Sequence, residues 1–188
     1  KTDFPFEILL GEDESTDGTR EICKEYADKY PEKIKLFLHT RENNIKINGI
    51  PTGRFNFLYN LYKTRGKYIA LCEGDDCWTD PYKLQKQVDF LEAHQEFALC
   101  YHNVEVENHK KKRKKRREKK FTKNNKPPAE FTIYELARGN RIPTVSAVFR
   151  NNLIEEFPEE IYQAPAGDYF LFMLLAKYGK IKYLDETM

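Results

Sequence analysis

The stretch Gly66–Gln87, GKYIALCEGDDCWTDPYKLQKQ, places three carboxylates directly after a short apolar run. Tyr68–Cys72 has the length of a buried strand, and Glu73, Asp75 and Asp76 follow it. In open α/β sheets ligands bind beyond the carboxyl ends of the strands. Carboxylates clustered there repel one another unless a cation lies among them, and hard divalent cations prefer such oxygens. The stretch therefore predicts an α/β fold with a cation-binding turn. A solvated acidic turn is the alternative.

The residues after the acids complete a pattern typical of one enzyme family. Trp78 follows the acids, and Asp80-Pro81 opens a helix, with the proline suited to its first turn. The stretch resembles the acidic motif of family 2 glycosyltransferases: an apolar strand, then D-x-D-D, an aromatic residue and a proline. Glu73 stands in the first acidic place. The resemblance implies a GT-A (Rossmann-like) fold, with a mostly parallel sheet and helices on both faces.

The same resemblance implies a metal-assisted reaction. Asp75 and Asp76, with Glu73, would hold Mg²⁺ or Mn²⁺ on the diphosphate of a nucleotide sugar. Glu73 and Asp75 would also contact the donor, which we expect to be UDP-linked. The sugar would pass to the hydroxyl of a saccharide or lipid-linked acceptor with inversion, as in cell-surface polysaccharide biosynthesis. A nucleotidyltransferase would also place acids around a metal, but it should show a glycine-rich phosphate loop near the N-terminus, which this sequence lacks.

A second strand followed by acids lies near the start of the chain. Phe6–Leu10 reads as a strand and runs into the acidic, hydroxyl-rich segment Gly11–Thr19. The resemblance extends here to a family motif like V-D-D-G-S-T-D-G-T, in which the second acid binds the nucleotide base. Asp13 stands in that place and would recognise uracil, with Glu12 as the alternative. An ordinary loop acid is the other interpretation of Asp13.

Two further residues receive roles from the resemblance. Arg54 begins a predicted helix near the place where family members carry a basic residue that reaches the nucleotide. A surface arginine is the alternative. Asp168 precedes a predicted helix over Phe170–Tyr178, where the family keeps its catalytic base. Because Asp is also a favoured N-cap, a purely structural cap is the alternative for Asp168.

Local signals define the connecting elements. Thr132 and Glu135 have the spacing of a capping box, which predicts a short helix over Ile133–Arg138. Thr144–Phe149, TVSAVF, reads as a strand.

The length of 188 residues predicts a single domain over residues 1–188. Family 2 domains begin with a further strand and continue past the last one, so we expect a domain trimmed at both termini. The longest apolar run, Phe170–Ala176, is far shorter than the ~18 residues of a membrane span. The four cysteines, at 23, 72, 77 and 100, show neither zinc spacing nor a dense disulfide framework. They predict reduced thiols and a cytoplasmic location.

The positive charge of the chain is concentrated in one segment. Lys110–Lys120 carries ten basic residues and one Glu, and the rest of the chain has 22 basic and 29 acidic residues. Residues 109–126 therefore predict a polar loop. Its alternatives are peripheral contact with anionic lipid at the inner face of the membrane, or a charged acceptor. A binding module for nucleic acid is disfavoured, because no interleaved aromatic residues accompany the run.

Overall fold

The computed structural model describes residues 1–107, 119–120 and 127–188, which form two compact units. The N-terminal unit comprises Phe4–Lys67 and Glu156–Gly167, and the C-terminal unit comprises Lys1–Asp3, Tyr68–Glu155 and Asp168–Met188. Whether they behave as the single domain predicted from the length stays a prediction.

The N-terminal unit is built on a parallel strand pair. Its elements are β1 (Ile8–Glu12), α1 (Thr19–Lys29), β2 (Ile34–Leu38), β3 (Lys46–Ile47), β4 (Ile50–Pro51) and α2 (Arg54–Lys63). β1 and β2 pair in parallel, with Ile8 opposite Ile34. β3 and β4 form an antiparallel hairpin closed by Asn48 and Gly49, both with positive φ, as a two-residue hairpin turn requires.

Close packing of α2 against β1 explains why a glycine lies within that strand. A Cβ built on Gly11 would lie only 1.7 Å from the Asn56 side-chain oxygen on α2. Leu58 and Leu61 of α2 are buried. The contact fixes the end of β1, where the first acidic segment begins.

The C-terminal unit contains a five-stranded sheet. Its elements are β5 (Tyr68–Ala70), α3 (Lys83–Ala93), β6 (Phe97–Asn103), β7 (Glu105–Val106), β8 (Lys119–Lys120), β9 (Glu130–Phe131), α4 (Ile133–Leu136), β10 (Val148–Arg150), α5 (Gly167–Leu175) and β11 (Lys180–Thr187). The strand order is β5-β10-β6-β11-β9, and β7 pairs with β8 in a separate ribbon.

This sheet is mixed, which corrects the expectation of a mostly parallel one. Only β6 and β11 pair in parallel, whereas β10 runs antiparallel to both β5 and β6, and β9 runs antiparallel to β11. The α/β class is confirmed. The sequence could not show that β10 inserts between β5 and β6, because that pairing joins residues far apart in the chain.

The core of the C-terminal unit lies around β6. All seven residues of β6 are buried, as expected for a strand with a neighbour on each side. Leu91 of α3 packs with Phe97, Cys100 and Val148 in one buried cluster. This packing anchors α3, the helix that follows the acidic turn.

Several local predictions were confirmed and others shifted. Thr132 and Glu135 form the capping box of α4. The predicted strand over Thr144–Phe149 is wrong in its first half, since residues Thr144–Ser146 form a 3₁₀ turn before β10. The helix predicted over Phe170–Tyr178 begins three residues earlier, at Gly167, so Asp168 lies inside its first turn.

Across the described residues, none of the helices is both long and apolar enough to cross a lipid bilayer. Apart from Lys119–Lys120, the predicted basic loop over 109–126 lies outside the described residues.

Candidate active site

The acids after β5 form a tight, exposed turn. The backbone N–H of Asp76 donates to the carbonyl of Glu73 over 3.1 Å. The Cys72 thiol lies 3.8 Å from the carbonyl oxygens of Glu73 and Asp76, so the turn folds over it. Glu73, Asp75 and Asp76 are exposed and form no ion pair with another described residue. We call residues 73–76 the acidic turn.

Electrostatic repulsion accumulates in the acidic turn. Loss of water contact raises the pKa of Glu73, and the negative charges of Asp76, Asp168 and Asp75 raise it further. Desolvation likewise raises the pKa of Asp76, and Asp75 adds to the effect. The charges of Asp75, Asp76 and Asp168, which lie in the same unit, therefore all act on Glu73. A cation bound here would relieve this repulsion.

The acidic turn suits a divalent cation shared with a phosphate ligand better than one held by protein alone. Carboxylate oxygens are the ligands that Mg²⁺ and Mn²⁺ prefer. Among residues 1–107 and 127–188, no three acidic, histidine or cysteine side chains are arranged to hold a metal together. Mg²⁺ is usually bound through one or two carboxylates plus substrate phosphates, so a preformed cage is not required. The donor set fits such an ion.

Trp78 and Lys83 tether the chain that leaves the acidic turn. The indole Nε1 of Trp78 donates to the carbonyl of Val145 over 2.9 Å. The ammonium of Lys83, at the start of α3, lies 4.2 Å from the centroid of the Trp78 ring. Lys83 is only 1% exposed, its Nζ has no hydrogen-bond partner among the described residues, and burial lowers its pKa to about 8. The two contacts join the end of this segment to the turn at Val145 and to α3.

Asp168 makes a side-chain contact that differs from a helix cap. Its Oδ2 accepts a hydrogen bond of 2.9 Å from the hydroxyl of Thr144. Within the described part of the chain, no backbone N–H of α5 donates to its carboxylate, and Oδ1 accepts no hydrogen bond. The carboxylate is half-buried. Its catalytic role stays a prediction.

Glu12, at the end of β1, is committed to internal contacts. It is 3% exposed, pairs with the Arg20 guanidinium, and accepts from the Ser15 N–H over 2.6 Å. Burial alone would raise its pKa, but the hydrogen bonds of Ser15 and Arg20 outweigh that effect and lower it to about 2. Its oxygens are thus used in holding β1 to α1.

Asp13 differs from its neighbour because one oxygen has no partner. Its Oδ1 is buried without a hydrogen bond among the described residues. Burial raises its pKa, opposed by His39 and reinforced by Glu12. His39 is itself buried, with Nε2 unpartnered in the described chain, and its ring meets Tyr59 edge-on at 4.8 Å. Of the two sequence candidates, Asp13 is the one with acceptor capacity left for a ligand.

Arg54 lies inside the N-terminal unit. Its guanidinium donates to the carbonyls of Ile161 and Ala164, the latter over 2.8 Å, and the side chain is buried. A Cβ on Gly167 would lie 2.6 Å from the guanidinium carbon, so the backbone packs directly against it. The surface-arginine alternative is thereby wrong. The nucleotide contact of Arg54 stays a prediction, with at least two of its donors already used.

Three residues that lie near candidate site residues, in one unit or the other, were not identified from the sequence. The sequence predicts a strand at Thr144 and indicates no role for Lys83 or His39. The local signal for Lys83 was its spacing from Gln87, because residues four apart lie on one face of a helix. Nothing local marks Thr144, because its partner is 24 residues away.

The protein-family model described as "Glycosyl transferase family 2" matches residues 1–150. The match includes β1 and the acidic turn, and it ends before Asp168.

The curated relatives come from several bacteria. The uncharacterized protein Rv1520 of Mycobacterium tuberculosis is 35% identical over 195 residues, covering 100% of this chain and 50% of that protein. The putative glycosyltransferase EpsE of Bacillus subtilis is 39% identical over 94 residues, covering 50% of this chain and 31% of that protein. The putative teichuronic acid biosynthesis glycosyltransferase TuaG of the same species is 34% identical over 86 residues, covering 46% of this chain and 30% of that protein. The chain thus spans about half the length of the mycobacterial relative.

Proposed function

The chain belongs to glycosyl transferase family 2, and from this premise we propose that it transfers a sugar from a UDP-linked donor to an acceptor hydroxyl with inversion, on a GT-A fold. One observation carries the proposal beyond family membership. Within the C-terminal unit, the negative charges of Asp75, Asp76 and Asp168 act together on Glu73. The proposed metal-binding acids and the proposed base therefore belong to one electrostatic cluster.

The acidic turn would hold the metal that the reaction uses. Asp75 and Asp76, with Glu73, would bind Mg²⁺ or Mn²⁺ together with the diphosphate oxygens of the donor. When bound, the ion supplies Lewis-acid stabilisation of the leaving diphosphate. The raised pKa values of Glu73 and Asp76 support this assignment, because loss of water contact and the neighbouring acids both disfavour the charged carboxylates, and a bound cation would offset both effects.

Asp168 would act as the general base. Its unoccupied Oδ1 would take the proton of the acceptor hydroxyl as the acceptor oxygen bonds to the anomeric carbon. The bond between that carbon and the diphosphate oxygen breaks, and the nucleoside diphosphate leaves. A single displacement of this kind inverts the anomeric configuration. General base catalysis contributes typically ~10²–10⁴ in rate.

Asp13 would recognise the uracil base. A carboxylate oxygen without a hydrogen bond is suited to accept from a base N–H, and Asp13 Oδ1 is in this state among the described residues. Glu12 would contribute by fixing the end of β1 through Arg20. Arg54, which donates to the carbonyls of Ile161 and Ala164, would also contact the nucleotide.

The relatives' names support a proposal for the acceptor. One relative is named for teichuronic acid biosynthesis. We therefore propose a saccharide or lipid-linked acceptor of cell-surface polysaccharide biosynthesis, reached at the cytoplasmic face of the membrane. Contact of Lys110–Lys120 with anionic lipid would bring the protein there and stays a prediction, because nearly all of that segment lies outside the described residues.

A thermal-shift screen of nucleotide sugars, with and without Mn²⁺, tests the proposal. We expect UDP-sugars to stabilise the protein only when Mn²⁺ is present, by about 2.7 kcal/mol at a ligand concentration of 100 times Kd. Inorganic diphosphate with Mn²⁺ serves as the control for phosphate binding alone. Equal shifts by UDP-, ADP- and GDP-sugars would contradict the assignment of uracil. Absence of a shift by every nucleotide sugar would contradict the proposed donor class.

A further inference from the structure

Three consecutive residues of one turn connect the candidate catalytic groups of the C-terminal unit. In the 3₁₀ turn Thr144–Ser146, each residue takes part in one hydrogen bond of 2.9 Å to another element. Thr144 donates to Asp168, and Val145 accepts from Trp78. Ser146 accepts from Gln87 of α3. We call residues 144–146 the platform turn.

The contact with Asp168 distinguishes the two carboxylate oxygens. Thr144 Oγ1 donates to Oδ2, while Oδ1 has no hydrogen-bond partner among the described residues. Donation to one oxygen fixes the plane of the carboxylate and leaves the other oxygen to accept a proton. A side chain held this way does not have to be ordered when the acceptor arrives.

The contact with Trp78 joins the platform turn to the acidic turn. Trp78 lies two residues after Asp76, and its indole is held between the Val145 carbonyl and the buried ammonium of Lys83. These two contacts restrain the segment after the acids relative to residue 145 and α3. Displacement of the platform turn would shift both Asp168 and the acids.

The contact with Gln87 holds the platform turn on the core. Gln87 is fully buried, and its Nε2 donates to the carbonyls of Ser146 and Cys100, on β6. Inside the turn, the Ser146 hydroxyl donates to the Pro143 carbonyl over 2.6 Å. The platform turn is thus bound to the most buried strand of the sheet. A threonine at its outer end presents its hydroxyl from a fixed backbone.

We propose that Thr144 is a positioning residue for the transfer reaction: its hydroxyl orients the Asp168 carboxylate so that Oδ1 accepts the acceptor proton, in fixed register with the acidic turn. The inference rests on the proposed function, in which Asp168 is the base. Thr144 itself touches no substrate and exchanges no proton.

The test compares two substitutions at one position in the full-length protein. Thr144→Val keeps the shape but removes the donor, and Thr144→Ser keeps the donor but removes a methyl group. We expect Thr144→Val to lower kcat for transfer about 10- to 100-fold, because small misplacements of a reacting group have effects of this order. We expect its donor KM, its Mn²⁺-dependent UDP affinity and its melting temperature to match the parent. Thr144→Ser should retain kcat within about twofold of the parent.

A matched control is available in the N-terminal unit. Thr64 donates its hydroxyl to the carbonyl of Leu61 over 2.7 Å, so Thr64→Val removes a comparable hydrogen bond without touching the platform turn. Its kcat should not change. Unchanged kcat in Thr144→Val would overturn the proposal, and so would an equal loss in Thr144→Ser. A joint loss of melting temperature and donor affinity would show that the hydroxyl only stabilises the fold.

A double-mutant cycle separates failure of this inference from failure of the proposed function. If Asp168 is the base, Asp168→Asn lowers kcat by itself, and adding Thr144→Val has little further effect. Normal transfer by Asp168→Asn would show that the base assignment is wrong. A large loss in Asp168→Asn with none in Thr144→Val would leave the base in place and overturn only the role of Thr144.

Discussion

The two acidic segments of the chain look alike in sequence and differ in electrostatics. Each lies at the end of an apolar strand: Glu12 is the last residue of β1, and Glu73–Asp76 follow β5. At the first, Glu12 is buried against Arg20 and its pKa is lowered to about 2. At the second, the pKa values of Glu73 and Asp76 are raised, and the acids form no ion pair within the described chain.

The difference between Glu12 and the acidic turn shows how an acid at the end of a strand can serve structure in one place and ligand binding in another. An acid neutralised by its own fold contributes to stability and offers little to a ligand. Acids left to repel one another cost stability until a cation binds, which supports the metal site proposed for the acidic turn.

The largest effect is expected from removing charge at the acidic turn. The double variant Asp75→Asn with Asp76→Asn should abolish Mn²⁺-dependent binding of UDP, because amide oxygens carry no charge to attract the ion. Isothermal titration with UDP in the presence and absence of Mn²⁺ measures this. The matched control is Glu25→Gln with Asp28→Asn, which removes two exposed acids from α1. UDP affinity equal to the parent in the acidic-turn variant would exclude both residues from the metal site.

The second largest effect concerns the acid that joins the cluster from α5. Asp168→Asn should lower transfer by ~10²–10⁴, because an amide cannot take the acceptor proton at neutral pH. Its side-chain oxygen can still accept from Thr144, so melting temperature and UDP affinity should match the parent. Steady-state transfer assays and calorimetry on the same preparations measure the three quantities. Substantial transfer by this variant would mean that Asp168 serves only the structure.

Local patterns let the sequence predict much of the local structure around the candidate site. Both strand-to-acid junctions were predicted, because an apolar run that ends in acids is a local signal. The capping box at Thr132 and Glu135 was confirmed for the same reason, since its partners lie three residues apart. The predicted start of α2 at Arg54 was also confirmed.

Contacts between residues far apart in the chain could not be predicted from the sequence. The first segment differs from the second because the Arg20 guanidinium, on α1, forms an ion pair with Glu12. That contact crosses a loop and leaves no local pattern in the sequence. The antiparallel insertion of β10 pairs Val148 with Ala70 and Cys100, and no periodicity encodes that choice. The platform turn interrupts a β-branched run that looked like a strand, so tertiary context overrode propensity.

A smaller effect is expected at the neutralised segment, and it concerns stability. Arg20→Met should cost about 2 kcal/mol, less than the 3–5 kcal/mol of a fully buried pair because Arg20 is partly exposed. The folded pKa of Glu12, about 2, lies below the ordinary value of 4.5. Its stabilisation is therefore fully present above pH 4.5 and is lost as the pH falls through 2.

Denaturant unfolding between pH 2 and 7 measures this contribution. The parent should lose stability on acidification more steeply than Arg20→Met, because the variant has less of the ion pair to lose. Lys24→Met, an exposed change on the same helix, is the control and should follow the parent. Parallel pH profiles for the parent and Arg20→Met would show that the ion pair does not hold the pKa of Glu12 down.

The smallest effect is expected at Asp76, where removing the acid should stabilise the protein in the absence of metal. Desolvation and the charge of Asp75 raise the pKa of Asp76, so its charged form costs stability at pH 7. Asp76→Asn should raise the free energy of unfolding by about 0.5 kcal/mol without metal, the small value expected at an exposed site. That corresponds to about 1–2 °C in Tm for a protein of this size.

With Mn²⁺ and UDP the order of the two Tm values should reverse, since only the parent gains binding energy from the ion. Asp28→Asn, an exposed acid on α1, should change Tm in neither condition. A lower Tm for Asp76→Asn without metal would mean that the fold already neutralises the acidic turn, as it neutralises Glu12.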